Sequence, residues 1–287
     1  MHPKQLLQSY NLEPKKSLGQ NFLFDENVLG RIVAAADLQA GDAVLEIGPG
    51  LGALTRLLAQ KADRVAAVEL DGRFLPILEA ELAAYDNVTL IHGDILEQDP
   101  AQLFARPYKV VANVPYYITG AILRHLLSAA HKPLLMVMTV QKEVAERMTA
   151  VPPNMSLLAV SAQFYGRVQR IAAIKAGAFW PRPDVDSAVI RLELYEERPL
   201  PLNEEASFFR LVRAGFSQKR KQLKNNLRQL SLSKEEVTAV LEAAGIDGRR
   251  RAQTLTLDEW LAIYREIGNW RLENNQSPTS NLQSPLP

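Results

Sequence analysis

The sequence predicts an α/β fold in which a parallel sheet carries helices on both faces, followed by a small all-α domain. From residue 40 onward, short runs rich in β-branched and apolar residues alternate with helical stretches. Such alternation is typical of parallel strands joined by crossover helices. Beyond residue 203 the strand-like runs stop and apolar residues recur at helical spacing, so the second domain is expected to be helical.

Local signals set the expected boundaries. Before the first strand, apolar spacing predicts a helix over 28–38, and Ser233 with Glu236 fits a capping box at a helix start in the second domain. The predicted strands are 43–47, 64–70, 88–92, 109–113, 134–140, 170–176 and 187–195. Four segments are predicted: an N-terminal arm with a helix (1–39), the sheet domain (40–200), the helical domain (203–268) and a flexible tail (271–287).

The composition narrows the possible chemistry. The 287 residues carry 33 Lys and Arg against 32 Asp and Glu, so a nucleic-acid partner would have to meet a local basic patch. The absence of cysteine excludes disulfides, iron–sulfur clusters and cysteine nucleophiles. The four histidines show no metal-ligand spacing, so no metal is expected. No signal peptide and no apolar run near the roughly 18 residues of a membrane span is visible, which favours a cytoplasmic protein without membrane contact.

A glycine-rich loop follows the first predicted strand. Gly48, Gly50 and Gly52 stand in the sequence Glu-Ile-Gly-Pro-Gly-Leu-Gly and precede a predicted helix, so a ligand could approach the backbone at a helix N-terminus. The spacing G-x-G-x-G differs from the G-x-G-x-x-G of dinucleotide-binding proteins. A tight turn without a ligand is the alternative.

Two acidic residues end the next two predicted strands. Glu69 comes 21 residues after Gly48, where a carboxylate can accept both hydroxyls of an adenosine ribose. Asp94 lies at the same predicted edge and could accept from the amino group of an adenine. A solvated carboxylate for Glu69 and an Asx turn for Asp94 are the alternatives.

The run that follows the fourth predicted strand suits the binding of an extruded base. The Asn113 amide oxygen and the Val114 carbonyl, fixed by Pro115, could accept the two N–H groups of an exocyclic amine while Tyr116 stacks on the ring. Two acceptors localise the lone pair of that amine for attack on a methyl group. A proline turn with an incidental aromatic is the alternative.

The aromatic and proline-rich segment 179–187 precedes the last predicted strand. Phe179 could form the second wall of a base sandwich, and a hydrophobic plug is the alternative.

A basic run without any acidic residue lies in the helical domain and predicts a face that contacts phosphates. The alternative is a solvated helix face, and 249–251 could extend the run. Its seven cations are Arg210, Arg213, Lys219, Arg220, Lys221, Lys224 and Arg228.

Taken in their order along the chain, these motifs resemble those of the S-adenosylmethionine-dependent ribosomal RNA adenine N6-dimethyltransferases of the small-subunit type. The resemblance extends over about residues 15 to 268. The motifs that carry the resemblance are 19–23, 46–52, Glu69, Asp94, 113–116, 179–187 and 216–227 with its core Lys219-Arg220-Lys221. The resemblance implies a Rossmann-like class I methyltransferase sheet, with segment 1–39 contributing to the pocket for S-adenosylmethionine. The implied cofactor-binding residues are Gln20, Asn21, Leu23, Gly48, Gly50, Glu69, Asp94 and Asn113. The implied catalytic residues are Asn113, Val114, Pro115, Tyr116 and Phe179.

The resemblance also implies a substrate. Members of this family methylate the N6 of two adjacent adenosines in a hairpin loop near the 3′ end of small-subunit ribosomal RNA, within an assembling 30S-type particle. We expect a monomer whose helical domain binds that RNA. Three alternatives remain: a large-subunit adenine methyltransferase of the antibiotic-resistance type, an RNA-binding assembly factor without catalysis, and an NAD-dependent oxidoreductase.

Overall fold

The computed structural model describes residues 2–115 and 118–273 and divides the chain into two compact units. The sheet unit comprises Met1–Glu146 and Gly166–Glu196, and the helical unit comprises Arg147–Tyr165 and Glu197–Pro287. Residues 147–165 thus pack with the helices, although the sequence places them in the sheet domain. The last described helix runs to Glu273 and so includes the first three residues of the predicted tail, and residues 274–287 lie outside the described residues.

Seven strands of the sheet unit agree with the seven predicted ones to within a few residues at each end, whereas two further strands of two residues each, over 22–23 and 179–180, are not predicted from the sequence. In chain order they are β1 Phe22–Leu23, β2 Ala43–Ile47, β3 Arg64–Glu69, β4 Val88–His92, β5 Tyr108–Ala112, β6 Leu135–Gln141, β7 Gly166–Ile174, β8 Phe179–Trp180 and β9 Ser187–Leu194. The seven-stranded sheet has the order β4-β3-β2-β5-β6-β9-β7, while β1 and β8 form a separate antiparallel pair.

The parallel sheet predicted from the sequence is confirmed for β2 to β6, and β9 and β7 add an antiparallel edge. Every residue of β2 is buried, as are all but the first of β3. Strands covered by helices on both faces read as continuous apolar runs, which explains why the sequence shows no alternation there.

The helices alternate with the strands and then continue alone. They are α1 Pro3–Ser9, α2 Glu26–Ala35, α3 Ala53–Ala59, α4 Leu75–Leu82, α5 Pro100–Leu103, α6 Thr119–Ser128, α7 Lys142–Met148, α8 Leu157–Tyr165, α9 Leu202–Phe216, α10 Leu223–Leu227, α11 Lys234–Ala243 and α12 Leu257–Glu273. Helix α2 begins two residues before its predicted start because the Asp25 side chain accepts from the Val28 N–H and caps it. The capping box of Ser233 and Glu236 is confirmed at the start of α11.

The helical unit has a hydrophobic core of its own. Phe164 of α8 is fully buried and stacks on Phe208 of α9 with the ring centroids 5.0 Å apart. Trp260 of α12 is also fully buried, and a Cβ added at Gly215 would lie 2.2 Å from its ring. Because α8 supplies several core side chains, residues 147–165 belong with this unit.

The strand order positions a ligand site in the sheet unit. From β2 the chain proceeds outward through β3 to β4 and then returns to the other side of β2 with β5. The order therefore reverses between β2 and β5, and open α/β sheets bind their ligands outside the carboxyl ends of the strands at such a point.

Candidate active site

A cavity of about 210 Å³ opens at the carboxyl ends of β2, β3, β4 and β5. All eight residues predicted to bind the cofactor line it, from Gln20, Asn21 and Leu23 in the N-terminal arm to Asn113 after β5. These residues are distant in sequence and meet because parallel strands end at the same edge of a sheet. The structure thus brings these eight residues to one cavity, and their binding of a cofactor stays a prediction.

The glycine loop between β2 and α3 forms one wall of the cavity. Gly48, Gly50 and Gly52 have φ angles of +70°, +58° and +80°, a left-handed region that favours glycine. A Cβ at Gly48 would also lie 3.4 Å from Val114 Cγ1. The loops after β2 and β5 thus approach each other across the switch point, as a shared site requires.

Glu69 presents its carboxylate to the cavity with both oxygens held by backbone N–H groups. The Gly50 N–H donates to Oε2 at 3.0 Å and the Asp71 N–H donates to Oε1 at 2.8 Å. Burial raises the pKa of this carboxyl, while these hydrogen bonds oppose the rise. Each carboxylate oxygen can accept a further hydrogen bond, so the side chain is oriented and still has capacity for a ligand hydroxyl.

Asp71 was not predicted as a site residue, but it ties the N-terminal arm to the sheet. It accepts from Gln20 Nε2 at 2.9 Å and from Arg73 Nη2 at 2.6 Å, while the Lys15 N–H donates to Gln20 Oε1 at 2.7 Å. The hydrogen bond from Arg73 holds the pKa of Asp71 well below its usual range. The arm that supplies Gln20 and Asn21 to the cavity is therefore anchored by a buried carboxylate.

Glu46 is a second residue that the sequence analysis quoted only as part of the glycine loop. Its side chain is 1 % exposed, lines the cavity, and its Oε2 has no hydrogen-bond partner within the described residues. Burial is the main cause that raises the pKa of its carboxyl to about 8; the Thr55 side chain opposes the rise and the nearby Glu69 adds to it. A buried polar atom without a protein partner is available for a hydrogen bond with a ligand.

Asp94 combines the two interpretations that the sequence left open. Its Oδ1 accepts from the Leu96 N–H at 2.9 Å and caps the short helical turn Ile95–Glu97. The residue also lines the cavity. The Asx turn therefore holds the side chain at the carboxyl end of β4 without excluding contact with a ligand.

Asn113, Val114 and Pro115 line the cavity on the side of β5. Asn113 is half-buried directly after the strand, while the Val114 side chain is buried and packs toward Gly48. The fourth residue of the run, Tyr116, lies outside the described residues. Its stacking on a base stays a prediction.

The prediction that Phe179 walls a base site does not fit the structure. Phe179 is 3 % exposed, packs in the core cluster with Leu23 and Leu29, and does not line the cavity. Side chains alternate along a strand, so in the pair β1–β8 the ring of Phe179 turns inward and Trp180 takes the other face. The hydrophobic plug, the alternative interpretation, describes Phe179 in this conformation.

The basic run lies in the helical unit, on α9, on α10 and in the turn that joins them. Arg213, Lys224, Arg228 and the turn residues 219–221 are exposed, and within the described parts of the chain none of these six cations forms an ion pair. The buried Asn226 donates to the Gly215 carbonyl at 2.6 Å and the Gln218 carbonyl at 3.2 Å, which braces the turn.

The suggested extension of the basic run at 249–251 is weaker than its sequence indicates. Arg249 pairs with Asp247 at 3.0 Å and Arg250 pairs with Glu259. Two of the three charges are therefore offset within the protein, which leaves the α9–α10 turn as the stronger anion-binding surface.

The chain matches the family described as ribosomal RNA adenine dimethylase over residues 11–269, which include both units. It belongs to the ribosomal RNA adenine dimethylase family. The match confirms the resemblance inferred from the motifs. It also makes the chain a methyltransferase-family enzyme rather than an NAD-dependent oxidoreductase.

Other members of this dimethylase family share nearly the whole length of the chain. A protein from Dehalococcoides mccartyi strain ATCC BAA-2266, named Ribosomal RNA small subunit methyltransferase A, is 46% identical over 260 residues, which are 90% of this chain and 89% of that protein. A protein of the same name from Geobacillus kaustophilus is 43% identical over 272 residues, 91% of this chain and 93% of that protein.

Solved structures confirm the class I methyltransferase fold. A dimethyladenosine transferase from Plasmodium falciparum superposes with a TM-score of 0.77 at 26% identity, covering 86% of this chain and 98% of that chain. The 23S rRNA methyltransferase ErmE superposes with a TM-score of 0.72 at 29% identity, covering 86% of this chain and 100% of that chain. In the part of this dimethylase-family chain that the structure describes, no helix combines the length and the apolar character needed to cross a bilayer.

Proposed function

We propose that this enzyme transfers methyl groups from S-adenosylmethionine to the N6 of two adjacent adenosines in a hairpin loop near the 3′ end of small-subunit ribosomal RNA. The product is N6,N6-dimethyladenosine, made as a 30S-type particle assembles. The observation that carries the proposal is the cavity at the switch point, which joins Glu69 to Asn113. The proposed enzyme acts as a monomer in the cytoplasm.

The cavity fits S-adenosylmethionine at three places. Glu69 would accept the ribose hydroxyls, and Asp94 would accept from the adenine amino group. The Oε2 of Glu46 would accept from the ammonium group of the methionine part, whose positive charge would favour the ionised form of this buried carboxyl. The left-handed glycines between them leave the backbone open to the ligand.

The same cavity would hold the target adenine at Asn113. The Asn113 side-chain oxygen and the Val114 carbonyl would accept the two N6–H bonds, which draws the amine lone pair out of the ring and toward the reacting methyl. When bound, S-adenosylmethionine supplies that methyl as an electrophile on a sulfonium. Asn113 and Val114 would hold the N6 atom for bond formation with that methyl, the thioether S-adenosylhomocysteine would leave as the carbon–sulfur bond breaks, and the N6 proton would pass to water.

Positioning supplies most of the rate in this mechanism because no side chain acts as a nucleophile. After the first transfer only one N6–H remains. One of the two acceptors, Asn113 or Val114, must then release its hydrogen bond before the second transfer. Residues 113–115 therefore have to accommodate a methyl group where an N–H was bound.

The structural similarity to the 23S rRNA methyltransferase ErmE supports the alternative of a large-subunit methyltransferase. Two observations favour the small-subunit substrate: the relatives at 43% and 46% identity carry the small-subunit name, and the basic run forms an exposed turn of the helical unit. An assembly factor without catalysis would have no need of the acceptors at Asn113 and Val114.

The test is methyl transfer from labelled S-adenosylmethionine to small and large ribosomal subunits that lack these modifications, with mass identification of the nucleosides. We expect dimethyladenosine in small-subunit RNA alone. Label confined to large-subunit RNA would establish the resistance-type alternative, and tight RNA binding without label would establish an assembly factor.

A further inference from the structure

A second cavity lies beside the cofactor cavity in the sheet unit. It is a groove of about 820 Å³, within the usual range of ligand sites. Its walls are α1, the arm 12–21, Gln141 and the segment 180–185. The mechanism proposed above uses no residue of the segment 180–185.

The groove adjoins the cofactor cavity. Gly19, Gln20 and Asn21 line both. The antiparallel pair β1–β8 also places Phe22 directly opposite Trp180, and the Phe22 ring lies 3.3 Å from where a Cβ on Gly50 would stand. A ligand that extends from the cofactor cavity past the arm therefore enters the groove.

Trp180 gives the groove a surface on which a base can stack. It packs against the core cluster that includes Phe22 and lies 6.2 Å from the His2 ring, but it is only half-buried and lines the groove. Pro181 and Pro183 follow it and fix the backbone of this segment. Stacking on an aromatic ring tolerates any base because every base has a π-face.

Cations on both sides of the groove suit a phosphate backbone. Lys4, Lys16 and Arg182 line it and are exposed, and no carboxylate among the described residues lies within ion-pair distance of any of them. Glu13 and Asp184 also line the groove, which leaves an excess of one positive charge. This mixture of an aromatic ring and unpaired cations is typical of surfaces that bind single-stranded nucleic acid.

We propose that this groove binds the nucleotide next to the reacting adenosine, with its base against Trp180 and its phosphate near Lys16 and Arg182. The inference rests on the proposed function and deepens it. Two adjacent adenosines are modified, and one cavity accepts one base at a time. While the first adenine lies at Asn113, its neighbour must be held outside, and the groove adjoins that cavity across Gly19, Gln20 and Asn21.

The experiment is a double-mutant cycle between Trp180 and the neighbouring base. Because the hairpin lies near the 3′ end, small-subunit RNA can be completed by ligating a synthetic 3′ segment that carries either adenine or an abasic position beside the target. The rate of the first methyl transfer is measured at low concentrations of the reconstituted subunits. Loss of one stacked base should lower that rate about tenfold.

We expect W180A on the intact RNA and the wild-type enzyme on the abasic RNA to show the same loss, and W180A on the abasic RNA to show no further loss. W180F should recover most of the rate. Y195A, which removes an exposed aromatic ring that lines neither cavity, is the matched control and should behave as wild type. Binding of S-adenosylmethionine by W180A should be unchanged, which excludes a folding defect.

The groove assignment would be overturned if the rate of W180A on abasic RNA fell by the product of the two single losses. It would also be overturned if W180A and Y195A had equal rates. A wild-type enzyme that is inactive on unmodified small subunits would overturn the proposed function itself. The two failures are therefore distinguishable.

Discussion

In the cofactor cavity the carboxyls of Glu46 and Glu69 are almost completely buried, whereas in the helical unit the cations at 219–221 are exposed and form no ion pair with any residue that the structure describes. Backbone N–H groups orient the Glu69 carboxylate, and the Glu46 carboxyl has an oxygen available to a ligand. Burial restricts each of them to one position. The exposed cations are flexible point charges that can meet many phosphate arrangements. We expect a single substitution in the cavity to cause a large loss of rate or cofactor affinity. Substitutions in the basic run should each cause a small loss of RNA affinity, and these losses should add.

The largest effect is expected for N113A. Removal of the amide oxygen takes away one acceptor for the N6 amine, and loss of one such positioned group typically slows the chemical step about 10²- to 10³-fold. Binding of S-adenosylmethionine should change little, because the ribose and ammonium contacts remain. Single-turnover methyl transfer and calorimetric titration of the cofactor separate these effects, and near-normal transfer would remove the proposed role of Asn113.

The next effect is expected for E69Q. The amide cannot accept at both positions where Gly50 and Asp71 donate, and it weakens charge-assisted hydrogen bonds to the ribose, so cofactor affinity should fall roughly 10- to 100-fold. E79Q, which changes an exposed acid on α4, is the control and should bind normally. Equal affinities of E69Q and wild type would show that the ribose lies elsewhere.

Glu46 predicts a pH dependence of stability without cofactor. Its pKa is about 8 in the folded protein against an ordinary value of 4.5, so between these values the folded state keeps a proton that the unfolded chain loses. The contribution of Glu46 to stability is complete below about pH 4.5. It decreases as the pH rises to about 8, by roughly 1 kcal/mol per pH unit. Denaturant unfolding of E46Q should lack this slope, and a variant with the wild-type slope would contradict the burial argument.

The smallest effect is expected for single cations of the basic run. R220A should weaken binding to the small subunit a few-fold and reduce the salt slope by about 0.7 to 0.9. R249A is the matched control, with a smaller change, because Asp247 already offsets that charge. Affinities measured from low to high salt test the pair. Equal salt slopes for the two variants would contradict the assignment of the phosphate-contacting surface.

The sequence was sufficient for the sheet and for the cavity because both depend on strand order. Glu69, Asp94 and Asn113 were predicted from their places after successive strands, and parallel strands bring such places together. The sequence does not mark Glu46 as a site residue, because an acid inside an apolar strand gives no sign of which neighbour will accept or donate a hydrogen bond. Its signal was the acid itself, buried in β2 without a basic partner nearby in sequence.

Two errors have a different cause. The pair β1–β8 has only two residues per strand, so no alternation in the sequence shows that Phe179 faces the core and Trp180 faces the groove. Residues 147–165 were placed with the sheet by chain order, whereas α8 packs with the helices through Phe164 and Val160. Both depend on tertiary packing, which local pattern does not encode.

The most direct test of the division between cavity and basic run is single-turnover methyl transfer titrated with unmodified small subunits at several salt concentrations. We expect N113A to lower the rate at saturating subunit concentration at every salt concentration. The combined variant K219A/R220A/K221A should reach the wild-type rate at saturation, but should need more subunit and show a shallower salt slope. If both variants changed the same parameter, the assignment of chemistry to the cavity and particle binding to the basic run would be contradicted.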